Sequence, residues 1–423
     1  MFSSLIYVWR LKPWCNCDVC KAYLSASWTK DFTNLCDWYT HLLRNSKTGT
    51  IHLHVLGNII TANPENVEHM IKTKFDNYPK GKPFSDLLGD LLGRAAAKQE
   101  VLDLQDVFRR FSFDNICKFS FGLDPGCLEL SLPVCEFASA FDAASKLSAE
   151  RAIAASPMVW KIKRLLNIGS ERELKEAIKK VDELAERMIN QKRKEGFSNI
   201  SDLLSRFMTS ISDDRYLRDI VISFLLAGRD TVASGLTSFF WILSQHPEVV
   251  SAIREEIEKV TGSNQELPNF QEMLQMHYLN AAIYESLRLY PPVQFDSKFA
   301  QEDDILPDGT FVPKGTRATY HQYAMGRMDQ IWGPDCLAFK PERWLKKGVF
   351  VPANPFEYTV FHAGHRICIG KELALVEMKT VALAIIRGFN TVVEDPNQVP
   401  RFIPGFTATV RGGLPVLIQE REA

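Results

Sequence analysis

The residues best suited to chemistry lie in one stretch, residues 361–370, which reads Phe-His-Ala-Gly-His-Arg-Ile-Cys-Ile-Gly. Its cysteine, Cys368, directly precedes an amphipathic run over residues 371–379 that predicts a helix. A cysteine at a helix N-terminus faces unpaired backbone N–H groups and the positive end of the helix dipole, which favour the thiolate. Gly364 and Gly370 let the backbone turn tightly and approach a flat group closely. The stretch therefore predicts a loop that presents a thiolate.

Arg366 adds a planar fork of donors that suits a carboxylate. A flat cofactor with a metal at its centre and carboxylates at its rim fits all of these residues, and haem on an axial thiolate has that form. We therefore take Cys368 as the candidate iron ligand, and Phe361, Gly364, Arg366 and Gly370 as candidate cofactor-binding residues. A lone cysteine is more commonly a buried core residue than a metal ligand, and that remains the alternative for Cys368 at this point.

Length and composition limit the class of protein. The chain has 423 residues, 46% of them hydrophobic, which is enough apolar material for a large core. A net charge of −1 gives no electrostatic reason to expect nucleic acid as a partner. Nine cysteines without a secretory signal indicate a reducing compartment rather than a disulfide framework. No apolar run is long enough to span a bilayer, so we expect no transmembrane segment and no N-terminal anchor.

Hydrophobic periodicity and turn residues predict a mainly α fold with small β-sheets, organised as one domain over residues 1–423. Two β-rich runs about a Gly-Asn turn predict a hairpin over residues 50–62, and Asn63 caps a helix that reaches residue 75. Further helices are predicted over residues 102–120, 170–195, 217–244 and 269–290, a loop over residues 78–83, and strand-like pieces at residues 311–312 and 407–418.

The apolar helix over residues 217–244 contains Leu-Ala-Gly-Arg-Asp-Thr, which ends at Thr231. An acid such as Asp230 inside an apolar helix is costly unless it has a partner or a function. Threonine can donate to a carbonyl one turn earlier and glycine thins the helix, so a groove or kink is expected here. A bent core helix with a satisfied Asp-Thr pair is the alternative to a functional site.

Three thiols near the start of the chain, Cys15, Cys17 and Cys20, resemble a metal-ligand cluster, for which Cys36 or His41 is a possible fourth ligand. Zinc sites usually contain paired C-x-x-C units, and only one such unit is present. We therefore favour thiols without a metal at this position.

Four motifs together resemble the cytochrome P450 family. The spacing F-x-x-G-x-R-x-C-x-G resembles its haem-binding loop, and A-G-x-D-T resembles its oxygen-activation motif. Glu285-Ser-Leu-Arg288 resembles its E-x-x-R motif, and Pro341-Glu-Arg-Trp344 resembles its PERF segment, with Trp in the final place. The order of these motifs matches the family from about residue 50 to the C-terminus.

The resemblance implies a role for each motif. Cys368 would be the axial ligand of haem b, and Asp230 and Thr231 would be catalytic residues that deliver protons at the iron. Three residues would be structural, because they pair to lock the loop behind the haem: Glu285, Arg288 and Arg343.

Three further segments, residues 75–84, 160–169 and 323–327, resemble the plant fatty-acid ω-hydroxylase subfamily. That branch also contains enzymes that oxidise a jasmonoyl–isoleucine conjugate. The resemblance implies a monooxygenase that inserts one atom of O2 into ω or near-ω C–H bonds of a fatty acid. The chain has no flavin or nicotinamide fingerprint. Electrons would therefore come from an NADPH-dependent flavoprotein reductase at the endoplasmic reticulum membrane, where relatives are anchored.

Two departures from the family pattern stand out. His365 occupies a position where members often carry Pro, which loosens the loop. The family's W-x-x-x-R, which binds a haem propionate, has no counterpart after residue 94, so a helix pair following the loop at residues 78–83 is expected to be missing near residues 94–95. Residues 1–48 then read as an N-terminal remnant. The alternative function is a catalytically impaired remnant with poor haem retention or folding, because lost core surface can exceed net stability.

Overall fold

The computed structural model of the chain describes residues 15, 17–33, 35–56, 58–68, 101–121, 127, 136–153, 157–195, 202–262, 270–395, 399–403 and 405–420. Helices dominate these residues, and the strands form small sheets, so the predicted mainly α fold class is confirmed. The chain divides into two compact units. The first contains Met1–Lys82 and Gln245–Arg387, and the second contains Pro83–Ser244 and Gly388–Ala423.

The first unit is built on a four-stranded sheet whose strands follow the order β1 (Thr50–Leu53), β2 (Asn58–Thr61), β7 (Arg317–Tyr320) and β4 (Asp296–Phe299). Strands β1 and β2 form the predicted hairpin, paired from Thr50 opposite Thr61 to Leu53 opposite Asn58. Two short hairpins, β5-β6 and β8-β9, complete its strands. The strands of this unit are β1 (Thr50–Leu53), β2 (Asn58–Thr61), β4 (Asp296–Phe299), β5 (Asp304–Ile305), β6 (Phe311–Val312), β7 (Arg317–Tyr320), β8 (Leu345–Lys346) and β9 (Val349–Phe350).

Helices cover this sheet and carry the unit's motifs. The Asn63 side chain accepts a hydrogen bond from the Glu65 N–H at 2.9 Å, which confirms the predicted cap; the predicted continuation of that helix to residue 75 and the loop over residues 78–83 lie outside the described residues. The helices are α1 (Asp18–Ser25), α2 (Leu35–Arg44), α3 (Pro64–Glu68), α11 (Pro247–Thr261), α12 (Phe270–Gln275), α13 (His277–Leu289), α14 (Gln322–Met325), α15 (Asp329–Trp332) and α16 (Lys371–Gly388).

One predicted boundary in this unit is wrong. The single helix expected over residues 269–290 is two helices, α12 and α13, separated at Met276. Met276 has φ −83° and ψ 80°, so the backbone leaves the helical region for one residue. Glu256 of α11 stabilises the new helix start, because its carboxylate accepts the N–H groups of Tyr278 and Leu279 at 2.7 and 2.8 Å. A partner distant in sequence therefore decides this helix start.

The second unit is mostly helical. The buried residues of α4, α7 and α9 form one apolar core around Phe113 and Leu217. A three-stranded sheet, β10-β13-β3, and the β11-β12 pair complete it. Its elements are β3 (Leu102–Asp103), α4 (Leu104–Phe121), α5 (Glu136–Ile153), α6 (Pro157–Leu166), α7 (Ser170–Glu195), α8 (Leu203–Met208), α9 (Asp214–Gly228), α10 (Asp230–Leu243), β10 (Phe389–Val393), β11 (Phe402–Ile403), β12 (Thr409–Val410) and β13 (Pro415–Glu420).

The predicted apolar helix over residues 217–244 is broken at Arg229, between α9 and α10. The kink expected from Ala-Gly-Arg-Asp-Thr is therefore confirmed. The Ser112 hydroxyl of α4 donates to the carbonyl of Arg229 at 2.8 Å, and the Thr231 hydroxyl donates to the carbonyl of Ala227 at 2.5 Å. These hydroxyls donate hydrogen bonds to carbonyls at the break, where the regular backbone hydrogen bonds of the helix are interrupted.

The two halves of this broken helix differ in burial. Helix α10 is buried along nearly its whole length, as predicted, whereas α9 buries mainly Leu217, Val221 and Leu225. Contrary to the expectation that no apolar run is long enough to span a bilayer, the stretch Asp214–Leu243 is long and apolar enough to cross one, and 56% of its most apolar 18 residues are buried within the protein. A core helix of a soluble protein has the same properties, so this stretch is weak evidence for a membrane span.

Gly228 lies where α4 approaches the break most closely. A Cβ at this position would lie 2.5 Å from Cδ1 and 2.6 Å from Cγ1 of Ile116. We expect Gly228→Ala to destabilise the protein by about 1–3 kcal/mol through overpacking. The gain in helix propensity, about 1 kcal/mol, is too small to offset most of that cost. Urea denaturation followed by circular dichroism measures the difference.

Two variants make this test specific. Gly388→Ala is the matched control, because a Cβ there meets nothing within 4 Å, and it should leave stability unchanged or slightly higher. Adding Ile116→Val to Gly228→Ala should recover part of the loss by shortening the opposing side chain. A Gly228→Ala protein as stable as the parent would contradict the close approach.

Candidate functional site

The predicted thiolate loop is a tight turn immediately before α16. Residues Gly364–Arg366 form a single 3-10 turn. The Cys368 N–H donates to the Phe361 carbonyl at 2.8 Å, and the Ile367 N–H donates to the Gly364 carbonyl at 3.3 Å. Gly364 has φ +57°, in the left-handed region that favours glycine. The turn forms with His365 in place of the family's Pro, since the backbone bonds on both sides of it are made.

Cys368 is an exposed residue of this loop, although its sulfur is partly shielded from water. Among the eight cysteines in the described part of the chain, Cys368 and Cys17 are the exposed ones. Two apolar side chains flank Cys368 and are also exposed, Ile367 by 59% and Ile369 by 95%. A thiol between two exposed apolar side chains suits a flat, mostly apolar ligand that would cover all three.

The structure corrects one argument from the sequence. We expected the helix N-terminus to favour the Cys368 thiolate, but loss of water around the sulfur raises the pKa of the thiol above its ordinary value. The backbone N–H of Gly370 and the charge of Lys371 oppose this rise without cancelling it. A bound metal ion removes the proton of a coordinating thiol outright, so a metal at Cys368 would stabilise the thiolate where the helix N-terminus does not.

The surroundings of the loop fit haem. The donor set is the Cys368 thiol, an N–H that can stabilise its anion, and the half-buried guanidinium of Arg366 two residues away. A cationic fork beside an axial thiol is the arrangement that a carboxylate-bearing macrocycle requires. The Lys371 ammonium lies 5.9 Å from the centre of the Phe361 ring, so a second cation lies next to a residue of the loop.

The three predicted structural residues form one buried network in the first unit. Glu285 and Arg288 have fully buried side chains and make a two-pronged ion pair at 2.7 and 2.8 Å. Arg343 Nε lies 3.3 Å from Glu285 Oε1, and its other nitrogens donate to Asp335 and to the Trp332 carbonyl. The sequence alone would make Glu285 and Arg288 a surface pair; the structure places them in the core, as the resemblance implies.

Trp344 also belongs to this network, although in the sequence it stands out only as a Trp in the final place of the PERF-like segment. Its indole Nε1–H donates to Glu285 Oε2 at 2.9 Å, and the residue is 2% exposed. Its ring lies 4.9 Å from that of Tyr358, just before the turn that begins the thiolate loop. A signal was present: a Trp where Phe is usual brings an N–H that needs an acceptor when buried.

The predicted catalytic pair lies in the second unit, at the start of α10. Asp230 is buried, and its Oδ1 lies 3.5 Å from Nη1 of Arg229. Among the described residues that oxygen accepts no hydrogen bond. Arg229 is in turn held by Asp142 of α5, with Nη1 2.6 Å from Oδ1. The alternative of a fully satisfied Asp-Thr pair is therefore not what the structure has, because Thr231 bonds Ala227 instead.

Burial raises the pKa of Asp142, although the charges of Arg229 and Arg109 oppose the rise.

The junction at residues 94–95, where the sequence predicts a missing helix pair, lies outside the described residues. In the first unit the predicted loop residues lie together in one turn, and Glu285, Arg288 and Arg343 form a separate buried network. In the second unit the structure joins Asp230 and Thr231 through the helix break.

A mainly α chain with an accessible cysteine on a glycine turn before a long helix, and with the buried Glu-Arg-Arg network, has the features of a haem-thiolate protein. The family profile for cytochrome P450 matches residues 82–414. The chain is 55% identical to cytochrome P450 94C1 of Arabidopsis thaliana, over 99% of this chain and 95% of the relative. It is 41% identical to cytochrome P450 94B1 of the same plant, over 94% and 89%.

A third relative, cytochrome P450 94A2 of Vicia sativa, is 40% identical over 92% of this chain and 88% of its own length. The chain belongs to the cytochrome P450 family, and its similarity is to members of the 94 type. It is a haem-dependent monooxygenase by family, and haem b is the cofactor of that family.

Replacing Trp344 with Phe tests the Glu285 network. Trp344→Phe keeps an aromatic ring but removes one donor to a buried carboxylate, so it should destabilise the protein by about 1.5–3 kcal/mol. The measurement is the urea midpoint by circular dichroism. Trp28→Phe, at a partly exposed position, is the matched control and should shift the midpoint little. Equal stability of Trp344→Phe and the parent would show that the indole bond is not needed.

Proposed function

We propose that this chain inserts one oxygen atom from O2 into a terminal or near-terminal C–H bond of a fatty acid. The accessible Cys368 thiol, on a loop whose spacing is that of the P450 family, carries the proposal. The substrate class is supported by three segments that resemble plant fatty-acid ω-hydroxylases and by similarity to relatives of the 94 type. The same branch contains enzymes for a jasmonoyl–isoleucine conjugate, which is also an amphiphilic carboxylate.

In this proposal each site residue has a separate task. Haem, when bound, supplies the activation of O2 and the one-electron chemistry that no side chain can perform. Cys368 would bind the iron through its sulfur, and Arg366 would anchor a propionate through its guanidinium. Gly364 and Gly370 would keep the backbone close to the macrocycle, and Phe361 would hold the loop through its carbonyl bond to Cys368.

Proton transfer would rest on the break in the second unit. The Thr231 hydroxyl donates its hydrogen to the Ala227 carbonyl, so its oxygen can still accept a hydrogen bond from a water molecule. The buried Asp230 has a carboxylate oxygen without a hydrogen bond among the described residues, and it can exchange protons with such a water. Arg229, clamped by Asp142, would fix the direction of that carboxylate.

The electrons would come from an NADPH-dependent flavoprotein reductase at the endoplasmic reticulum membrane, because the chain has no flavin or nicotinamide fingerprint. P450 proteins in general take electrons from a redox partner.

A second candidate is an impaired member of the family that lost an internal block near residues 94–95. Its support is the alignment with the Arabidopsis 94C1 protein, which extends over 473 positions, whereas the chain has 423 residues. At least 50 aligned positions, the difference between these lengths, therefore have no residue of this chain opposite them. Such a loss would weaken haem retention, since one propionate would lose its partners.

The test is product analysis with labelled O2. The full chain, supplied with haem, reductase and NADPH, should convert medium- and long-chain fatty acids to ω or near-ω alcohols that carry one labelled oxygen. Thr231→Val should lower turnover by about 100-fold, in the range of a lost proton-transfer group. Ser223→Ala, on the exposed side of α9, is the matched hydroxyl control and should be neutral.

A chain that carries the corresponding relative's block inserted between residues 94 and 95 separates the two candidates. Product from the inserted chain alone would favour the impaired member and keep the reaction assignment. Oxidation of the jasmonoyl conjugate but of no fatty acid would replace the substrate. No labelled product from either chain, with haem bound in both, would contradict the proposed function.

A further inference from the structure

The first unit holds a second group of thiols that the haem chemistry does not use. The sulfur atoms of Cys15, Cys17 and Cys20 all lie within 4.8 Å of one another. Among the described residues this is the group of three or more potential metal ligands that the structure brings together. The sequence suggested such a cluster and favoured thiols without a metal, because only one C-x-x-C unit is present.

Local structure explains how three residues from a short segment converge. Cys17 occupies the N-cap position of α1 without making a side-chain cap bond, and Cys20 lies in the first turn of that helix. Both side chains therefore lie at the N-terminal end of α1. Cys15 lies two residues before the cap, where the chain is not helical. The helix start is fixed by the N–H of Lys21, which donates to the Cys17 carbonyl at 3.0 Å.

The cluster is anchored to the core at one end and open at the other. Cys20 is completely buried, in the apolar core that also contains Trp38, Leu53 and Val55. Cys15 is partly exposed and Cys17 is exposed. One sulfur is therefore held rigidly while an ion can still enter from solvent.

The spacing suits a metal better than a disulfide. Metal–sulfur bonds of about 2.3 Å place the sulfurs of one site about 4 Å apart, so the three thiols need only small movements to share an ion. A disulfide joins two sulfurs at about 2 Å and leaves the third without a role. The candidate fourth ligands make hydrogen bonds elsewhere. The Cys36 thiol donates to the Gln294 side-chain oxygen at 3.1 Å, and the His41 ring is hydrogen-bonded to the Asn45 side chain.

We propose that Cys15, Cys17 and Cys20 bind one thiophilic d10 cation, Cu⁺ or Zn²⁺, through three thiolates. Three sulfur ligands and one open side suit Cu⁺ in trigonal coordination, or Zn²⁺ with a water as its fourth ligand. Each metal–sulfur bond replaces one thiol proton, so binding releases up to three protons and requires no oxidant. The site lies on a different element from the thiolate loop, and the inference does not depend on the proposed function.

The role of the ion would be structural. It would tie Cys15 to the first turn of α1, and through Cys20 to the apolar core that also contains Val55. An ion that binds the folded state alone adds stability that grows with its free concentration relative to the dissociation constant. We therefore expect the metal to protect residues 15–25 from proteolysis.

Metal titration of the full haem-supplied chain, kept reduced, tests the proposal with Cd²⁺ as the spectroscopic probe. The parent should bind one equivalent at this site, with thiolate-to-metal charge-transfer absorption. Cys17→Ser should lower the affinity at least tenfold, and Cys15→Ser should do the same. Cys17 is exposed and Cys15 only partly buried, so neither change should prevent folding, which circular dichroism checks. Cys127→Ser, outside the cluster, is the matched control and should bind as the parent does.

X-ray absorption on the Zn²⁺-loaded and the Cu⁺-loaded chain then measures the coordination of each ion. Three sulfur neighbours around Cu⁺, or three sulfurs and one oxygen around Zn²⁺, would support the site. Cd²⁺ binding that is unchanged in Cys17→Ser and Cys15→Ser would overturn it. A disulfide between two of these cysteines that persists under reducing conditions, shown by mass spectrometry after alkylation, would also overturn it.

Discussion

The thiolate loop depends on how one buried carboxylate is satisfied. Glu285 is excluded from solvent, and a charge there is tolerable only when both oxygens have donors. Arg288, Arg343 and the Trp344 indole supply them. Trp344 then packs against Tyr358, which precedes the turn ending at Phe361, whose carbonyl holds the Cys368 N–H. The ion network is thus connected by direct contacts to the residue that would hold iron.

The second unit also contains buried polar groups that need partners, and these are backbone carbonyls. Breaking a buried helix at Arg229 interrupts regular carbonyl bonding, and the hydroxyls of Ser112 and Thr231 restore it. The close approach of Ile116 needs a residue without Cβ at position 228. The same break places Asp230 beside the buried Arg229. Helix geometry, rather than a separate binding loop, therefore creates the polar group that the proposed reaction uses.

Sequence patterns predicted the parts that follow from local chemistry. The hairpin at β1 and β2, the cap at Asn63, the long helix α7 and the kink at Gly228 each depend on residues close in sequence. The interruption at Met276 and the burial of Glu285 depend on partners distant in sequence, so periodicity could not show them. The thiol pKa of Cys368 also failed to follow from its helix position, because desolvation exceeds the effect of the N–H groups.

Cys368 as the iron ligand, on a loop that this chain folds correctly, is tested most directly by the absorption spectrum of the reduced, carbon-monoxide-bound chain supplied with haem. We expect a red-shifted, thiolate-type Soret band that disappears in Cys368→His. A band typical of a protonated thiol or of histidine in the parent, or no haem band at all, would contradict it.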